Sequence, residues 1–184
     1  ARFGDDKTCI GYRVNEVVQI YKKYNGKDTT WTASMIARLY KELKQRFRFQ
    51  GQIGVKVDDG GVGGGVVDQL RNLIRSEPAV FGDMVILPVN FGIPIKHRYY
   101  ADSTTYMMGV VRDLIAPYDD FGCPHVPEII LPDDSDLIGQ LSCRKFEFGS
   151  NAKQKVESKQ DMKDRGLSSP DEGDCILLVC LPVN

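Results

Sequence analysis

Three short acidic stretches hold the side chains best suited to chemistry. In "KVDDGGVGGGVVDQL", Asp58 and Asp59 end an apolar run, and five glycines in the next six positions lead into a segment with helical spacing. In "SSPDEGD", Asp171 and Asp174 stand three apart, which puts both on one face of a helix within its first two turns. In "FGDDK", Asp5 and Asp6 precede a strand-like run. An acid at the C-terminal end of a strand, followed by residues without side chains, leaves room beside it for a metal ion and a substrate backbone. Each stretch also has a purely structural reading. Asp58 and Asp59 serve as turn residues, with glycines that allow tight strand–helix packing. Asp171 and Asp174 complement a helix dipole, and Asp5 and Asp6 form a polar turn. Asp174 abuts "CILLVCL", so its face is expected to border the core, where two carboxylates repel unless a cation lies between them.

Other chemistries fit less well. A phosphate-cradling P-loop needs Gly-Lys-Ser/Thr, which does not occur, so ATP hydrolysis is not expected of these residues. The dinucleotide pattern G-x-G-x-x-G fails from Gly61, where the last position is Val66, and from Gly63, where it is Asp68. The five cysteines form no C-x-x-C pair and only His97 and His125 could join them, so they are expected as reduced thiols rather than a zinc site. The net charge of -1 sets up no global basic field, so a nucleic-acid contact has to be local. No apolar run approaches 18 residues, so no membrane helix is expected, and the N-terminal "ARFGDDKTC" lacks the apolar core of a signal peptide.

Periodicity supplies the elements that must position these acids. "TCIGYRV" and "EVVQIYKKY" read as strands with Asn15 as the turn between them. Residues 30–47 read as an amphipathic helix capped by Thr30, with Trp31, Met35, Ile36, Leu39, Leu43 and Phe47 as its apolar face. Its other face carries Arg38, Lys41, Lys44 and Arg46. "IGVKV" is a strand, and "GGVVDQLRNLI" is a helix with Val66, Leu70, Leu73 and Ile74 on one side. "DMVILPVNFG" is a further strand, and a helix begins at Asp102 or Ser103. A Pro- and Asp-rich loop spans 117–136, and "CRKFEFGSNAKQKVESK" is a hairpin around Gly149-Ser150-Asn151. The last helix is expected to open with a capping box, Ser169 at the N-cap, Pro170 at N1 and Glu172 at N3. Opening strands followed by alternating helix and strand predict an α/β domain with a mixed sheet, and 184 residues suit a single domain.

The order of these pieces resembles the nuclease domain of the large terminase subunit, the DNA-packaging motor protein of tailed bacteriophages. The resemblance rests on "ARFGDD", a strand ending in "DDGGVGGGVVDQL", "LPVNFG", "EIILPDDSDLIGQL", "KVESKQDMKDRG" and "SSPDEGD". It implies an RNase H-like fold with a mixed central sheet flanked by helices over residues 1–184. It also implies a metal-dependent endonuclease that cuts concatemeric double-stranded viral DNA during packaging, in the cytoplasm of the infected host cell. By resemblance Asp58, Asp171 and Asp174 bind metal and Asp5 assists them. The cofactor is Mg2+ or Mn2+, as a pair of ions roughly 3.5–4 Å apart serving both ends of an in-line displacement. Arg2, Lys96, Arg98, Lys153, Lys155, Lys163 and Arg165 are then candidates for tracking the DNA backbone. The implied partners are an N-terminal ATPase domain of the same polypeptide, the portal and the small terminase subunit. The family's opening motif usually reads Asp-Pro-Ala-Arg-x-Gly-Asp-Asp. Ala1 falls inside that pattern, so its leading Asp is expected upstream of Ala1. A catalytically silent DNA- or protein-binding module of the same fold and a nuclease like the Holliday-junction resolvases are the alternatives.

Overall fold

The structure, a computed structural model, describes residues 6–119, 121–150 and 152–182. It divides into two compact units, residues 24–90 and residues 6–23 with 91–182.

The first unit is built around a parallel strand pair. β3 (Ile53–Asp58) lies beside β4 (Met84–Val89), with Ile53 opposite Met84 and Asp58 opposite Val89. Parallel strands need a long crossover, which α2 (Gly63–Ser76) and the short α3 (Pro78–Phe81) provide. α1 (Thr29–Phe47) packs on α2. Ala33, Ala37, Tyr40, Val57, Val66, Val67, Leu70, Phe81 and Met84 form the core, with Leu73 and Ile74 packed against it, as the spacing in α2 predicts. Two features of α1 differ from expectation. Its N-cap is Asp28, whose carboxylate accepts from the Trp31 N–H at 2.7 Å, rather than Thr30. Its buried stripe runs through Thr32, Ala33, Ala37, Leu39 and Tyr40, while Phe47 is exposed. Small alanines meet α2, and the last turn reaches past the core. Lys44 bonds Asp83 at 2.6 Å and Arg38 bonds Glu42 at 2.8 Å, which fastens part of the expected basic face.

In the second unit β1 (Thr8–Val14) pairs with β2 (Val17–Tyr24), and Asn15 takes the left-handed turn position at φ 54°. α4 (Ser103–Ile115) starts from Asp102, which caps the Thr105 N–H at 2.8 Å. The expected hairpin forms as β5 (Phe146–Phe148) and β6 (Gln154–Val156), with Asn151 outside the described residues. α7 (Asp171–Cys180) buries Cys175, Ile176, Leu177 and Cys180 and packs on β1 and α4. Gly11 permits that approach, because a Cβ there would lie 2.9 Å from the Cys175 sulfur. All five cysteines are free thiols, and burial pushes Cys9 up to about 12. The α/β class stands as expected. The ladders among the described residues are two-stranded: β1 with β2, β3 with β4, and β5 with β6.

Two short helices add to the elements legible from periodicity. α5 (Ser135–Ser142) is capped by Asp134, and α6 (Lys159–Asp164) by a Ser158–Asp161 capping box. Just beyond α6, Arg165 holds the buried Glu157 carboxylate, whose other bond comes from the Lys145 N–H at 2.8 Å. The Arg165 guanidinium holds Glu157 below its ordinary value, although burial works against this. Because the folded-state value is the lower one, the pair's stabilisation is present above the ordinary glutamate value near 4.5 and is lost as pH falls through the folded value. Acid titration followed by circular dichroism should therefore show Glu157→Gln losing less stability than the parent protein as pH falls below that value. Parallel acid-unfolding curves would show that the pair does not couple to folding.

Candidate metal centre

Asp58 is placed by backbone geometry. β3 ends at Asp58, and the next residue returns to the partner strand through the Asp59 N–H to Val89 carbonyl bond of 2.8 Å. The Asp58 side chain is exposed and turns toward the loop, where Oδ1 accepts from the Gly60 N–H at 3.0 Å. Gly61 then adopts φ 62°, a region side-chain-bearing residues disfavour. Gly63 opens α2 so close to the strand end that a Cβ on it would lie 1.6 Å from the Asp58 carbonyl oxygen. The helix thus starts directly over the strand's last residue, and only glycine fits there. The Val62 N-cap offers no side-chain cap to α2.

The second unit holds the other acids at the start of α7. Asp171 is half-buried and accepts from the Lys7 N–H and from Ser169 Oγ, each at 2.6 Å. Asp174 is buried and lies 3.1 Å from the guanidinium of Arg144, itself buried, and 2.6 Å from Lys159 Nζ. Burial opposes the charge on Lys159, but Asp174 beside it outweighs that cost and holds the ammonium above its ordinary value. The two carboxylates therefore do not confront each other unscreened, as the sequence suggested they would. Each has its own protein partners, and Asp174 has two cations.

The expected capping box does not form. Pro170 occupies the N-cap, the Ser169 hydroxyl goes to Asp171, and the Glu172 carboxylate goes to Lys23 Nζ at 2.9 Å. The orphan N–H groups of Glu172 and Gly173 are taken by one acceptor, Gln140 Oε1 on α5, at 2.9 and 3.0 Å. Gln140→Ala is accordingly expected to cost about 1–2 kcal/mol, and Ser169→Ala about half of that. Urea unfolding of both variants checks this, and a larger loss from Ser169→Ala would restore the serine as the cap.

Asp58 thus stands in the first unit, and Asp171 and Asp174 stand together in the second. Asp5 and Arg2 lie outside the described residues. Among the described residues no three His, Cys, Asp or Glu side chains gather into a ready metal-binding group. The basic candidates divide by what they touch. Lys163 lies 3.5 Å from Asp6, and Arg165 bonds Glu157 and the Cys143 carbonyl. Lys96, Arg98 and Lys155 are exposed and Lys153 is half-buried, with Arg98 lying 5.2 Å over the Tyr99 ring. Sequence reasoning missed Arg144, Lys159 and Gln140, and gave Glu172 a capping role in place of its ion pair with Lys23. No local pattern ties Gln140 or Arg144 to an acid some 30 positions away.

No family model matches the sequence, and no curated protein matches it. Solved structures do share its fold. A mutant nuclease domain of the large terminase subunit gp2 of bacterial virus Sf6, with manganese and beta-thujaplicinol, superposes with a TM-score of 0.71 at 15% identity, over 100% of this chain and 86% of that one. The nuclease domain of the same subunit gives 0.69 at 16% identity with the same coverage. A mutant with calcium gives 0.67 at 16% identity over 98% of this chain and 84% of that one. The likeness establishes that this chain shares the α/β fold of those nuclease domains.

Proposed function

We propose that this chain is the nuclease domain of a phage large terminase subunit, which hydrolyses phosphodiester bonds of concatemeric double-stranded DNA with Mg2+ or Mn2+ during genome packaging. The observation that carries the reading is fold correspondence over the whole chain, combined with an acid at the glycine-lined end of β3 and an acid pair opening the last helix. The donor set fits the cofactor, since Asp58, Asp171 and Asp174 offer only hard carboxylate oxygens. These three would hold the ions, with Asp5 assisting. Bound there, two divalent ions supply an activated water and stabilise the leaving oxygen. The chain's own tasks are to orient and to exclude. The Gly60 N–H fixes one oxygen of Asp58, the Lys7 N–H and Ser169 fix Asp171, and the glycine turn keeps side chains away from the DNA backbone. Lys96, Arg98, Lys153 and Lys155 track phosphates, with Arg2, Lys163 and Arg165 as further candidates. The reading carries with it an ATPase domain N-terminal in the same polypeptide, the portal and small terminase subunit as partners, and the host cytoplasm as the place of action. No helix among the described residues is long and apolar enough to cross a membrane.

One observation favours a second reading, a DNA-binding module that does not cut: Arg144 and Lys159 already neutralise Asp174. Plasmid nicking by the full polypeptide with Mn2+, against EDTA, separates the two. Nicking that EDTA stops, and that Asp58→Asn lowers about 100-fold or more, is the expected result. DNA retention without any cleavage in the parent protein would establish the silent module. Equal cleavage of linear and four-way-junction DNA is expected of a packaging nuclease rather than a resolvase.

A further inference from the structure

The β5–β6 hairpin stands on one of the candidate site's acids. Its first leg leaves from Arg144, whose guanidinium lies 3.1 Å from Asp174. Its second leg runs on to Lys159, whose Nζ lies 2.6 Å from the same carboxylate. The Gly149 N–H closes the turn on the Lys153 carbonyl at 3.0 Å. On its other edge β6 is braced by residues 99–101. The Gln154 N–H donates to the Tyr99 carbonyl at 2.8 Å, and the Ala101 N–H donates to the Gln154 carbonyl at 2.9 Å. The Val156 N–H donates to Thr105 Oγ1 on α4 at 3.0 Å. The ribbon is therefore fixed along β6 and at its base, and its tip is exposed.

The two faces of the ribbon differ. Phe146 and Phe148 are two apart and share one face. Phe146 pairs with the buried Val156 yet is 49% exposed, and Phe148, nearer the tip, reaches 69%. Along that face the core gives way to bare aromatic surface, which water disfavours unless something covers it. The other face sets Glu147 opposite Lys155, with Lys153 two residues before it. Residues 94–101 add Lys96 and Arg98 and no acid. The second acid of the hairpin region, Glu157, is already bonded to Arg165. The ribbon is thus cationic with an aromatic edge, which suits a polyanion that holds apolar surface inside it. Duplex DNA is such a polymer, with phosphates outside and base faces within. On the nuclease reading above, we propose that the hairpin is a wedge. Phe148, with Phe146 behind it, enters between two base pairs from the minor groove, while Lys153 and Lys155 hold the phosphates bordering it. Phe148 stands four residues beyond Arg144. That is roughly 13 Å of extended chain, so the opened step lies about four base pairs from the cut. Pyrimidine–purine steps unstack most readily. Cutting is therefore biased by sequence although the reacting groups read no base.

Duplexes with 2-aminopurine at a TA step test this, because the probe brightens when it loses its stacked neighbours. Bound by the full polypeptide in EDTA, where no strand is cut, such a duplex should brighten at least about twofold, and one with the probe inside an A-tract should stay dark. Phe148→Ala should abolish the brightening and weaken binding about tenfold, and Phe148→Leu, which keeps an apolar wedge, should restore both. Lys153→Gln with Lys155→Gln should weaken binding of every duplex alike, and the duplex that is bound should still brighten. With Mn2+, cuts mapped by end sequencing should cluster near pyrimidine–purine steps for the parent and spread evenly for Phe148→Ala. A bound duplex that stays dark overturns the wedge, as does one cut map shared by parent and Phe148→Ala. Nicking without brightening removes the wedge and leaves the nuclease, whereas brightening without nicking does the reverse. A duplex that the full polypeptide does not bind at all overturns the wedge and assigns the phenylalanine face to a protein partner.

Discussion

Gly63→Ala is expected to destabilise the protein by about 3 kcal/mol or more and to remove metal-dependent cleavage. The added Cβ would meet the Asp58 carbonyl oxygen at 1.6 Å and its carbon at 2.8 Å. Both neighbours are backbone, so no side chain can swing aside. Either the end of β3 or the first turn of α2 has to move, and Asp58 moves with it. Gly61→Ala is the control for backbone strain. Position 61 has open space around its missing Cβ but sits at φ 62°, so the change costs about 1 kcal/mol and leaves Asp58 in place. Urea denaturation together with plasmid nicking separates the two effects. A Gly63→Ala protein as stable and as active as its parent would show that the strand–helix junction is slack.

Asp174→Asn is expected to cost about 3–5 kcal/mol, because it leaves the buried Arg144 with a partner that no longer carries charge. Carboxylate repulsion argued the opposite sign from the sequence. The two cations beside Asp174 reverse it. Asp171→Asn removes a half-buried charge held by one N–H and one hydroxyl, and should cost about 1 kcal/mol while abolishing nicking. Loss of activity in Asp174→Asn is therefore read only beside its unfolding curve, whereas loss in Asp171→Asn bears on the chemistry directly. Asp174→Asn with unchanged stability would mean that Arg144 finds other compensation. Full nicking by Asp171→Asn would move the reaction away from α7.

Much of the fold was legible because it repeats at a fixed period. Val66, Leu70, Leu73 and Ile74 mark α2, and "IGVKV" and "DMVILPVNFG" mark the parallel pair around it. Errors cluster where a local choice depends on a distant neighbour. Thr30 and Asp28 can both cap a helix, and position alone does not rank them. Ser169 and Glu172 fit a capping box until Gln140 and Lys23 arrive from other elements and take their partners. α5 and α6 each bury a single apolar side chain, Leu137 and Met162, too few to show a period. At the site, the identity of Asp58 and the reason for its glycines could be read in order along the chain. The cations on Asp174 come from Arg144 and Lys159, which the sequence places among unremarkable surface charges.

The first turn of α7 has a bearing on when activity can arise. Its acids are fastened by Lys7, Lys23, Gln140 and Arg144, across sequence separations of 164, 149, 32 and 30 residues. Contacts that distant along the chain form late, since the loops they close must be ordered first. Lys7, just ahead of β1, leaves the ribosome long before α7 does. A nascent chain therefore lacks the arrangement that orients Asp171 until α7 has been made and docked. On the proposed nuclease reading, a site assembled this way is not complete until α7 has been made and docked.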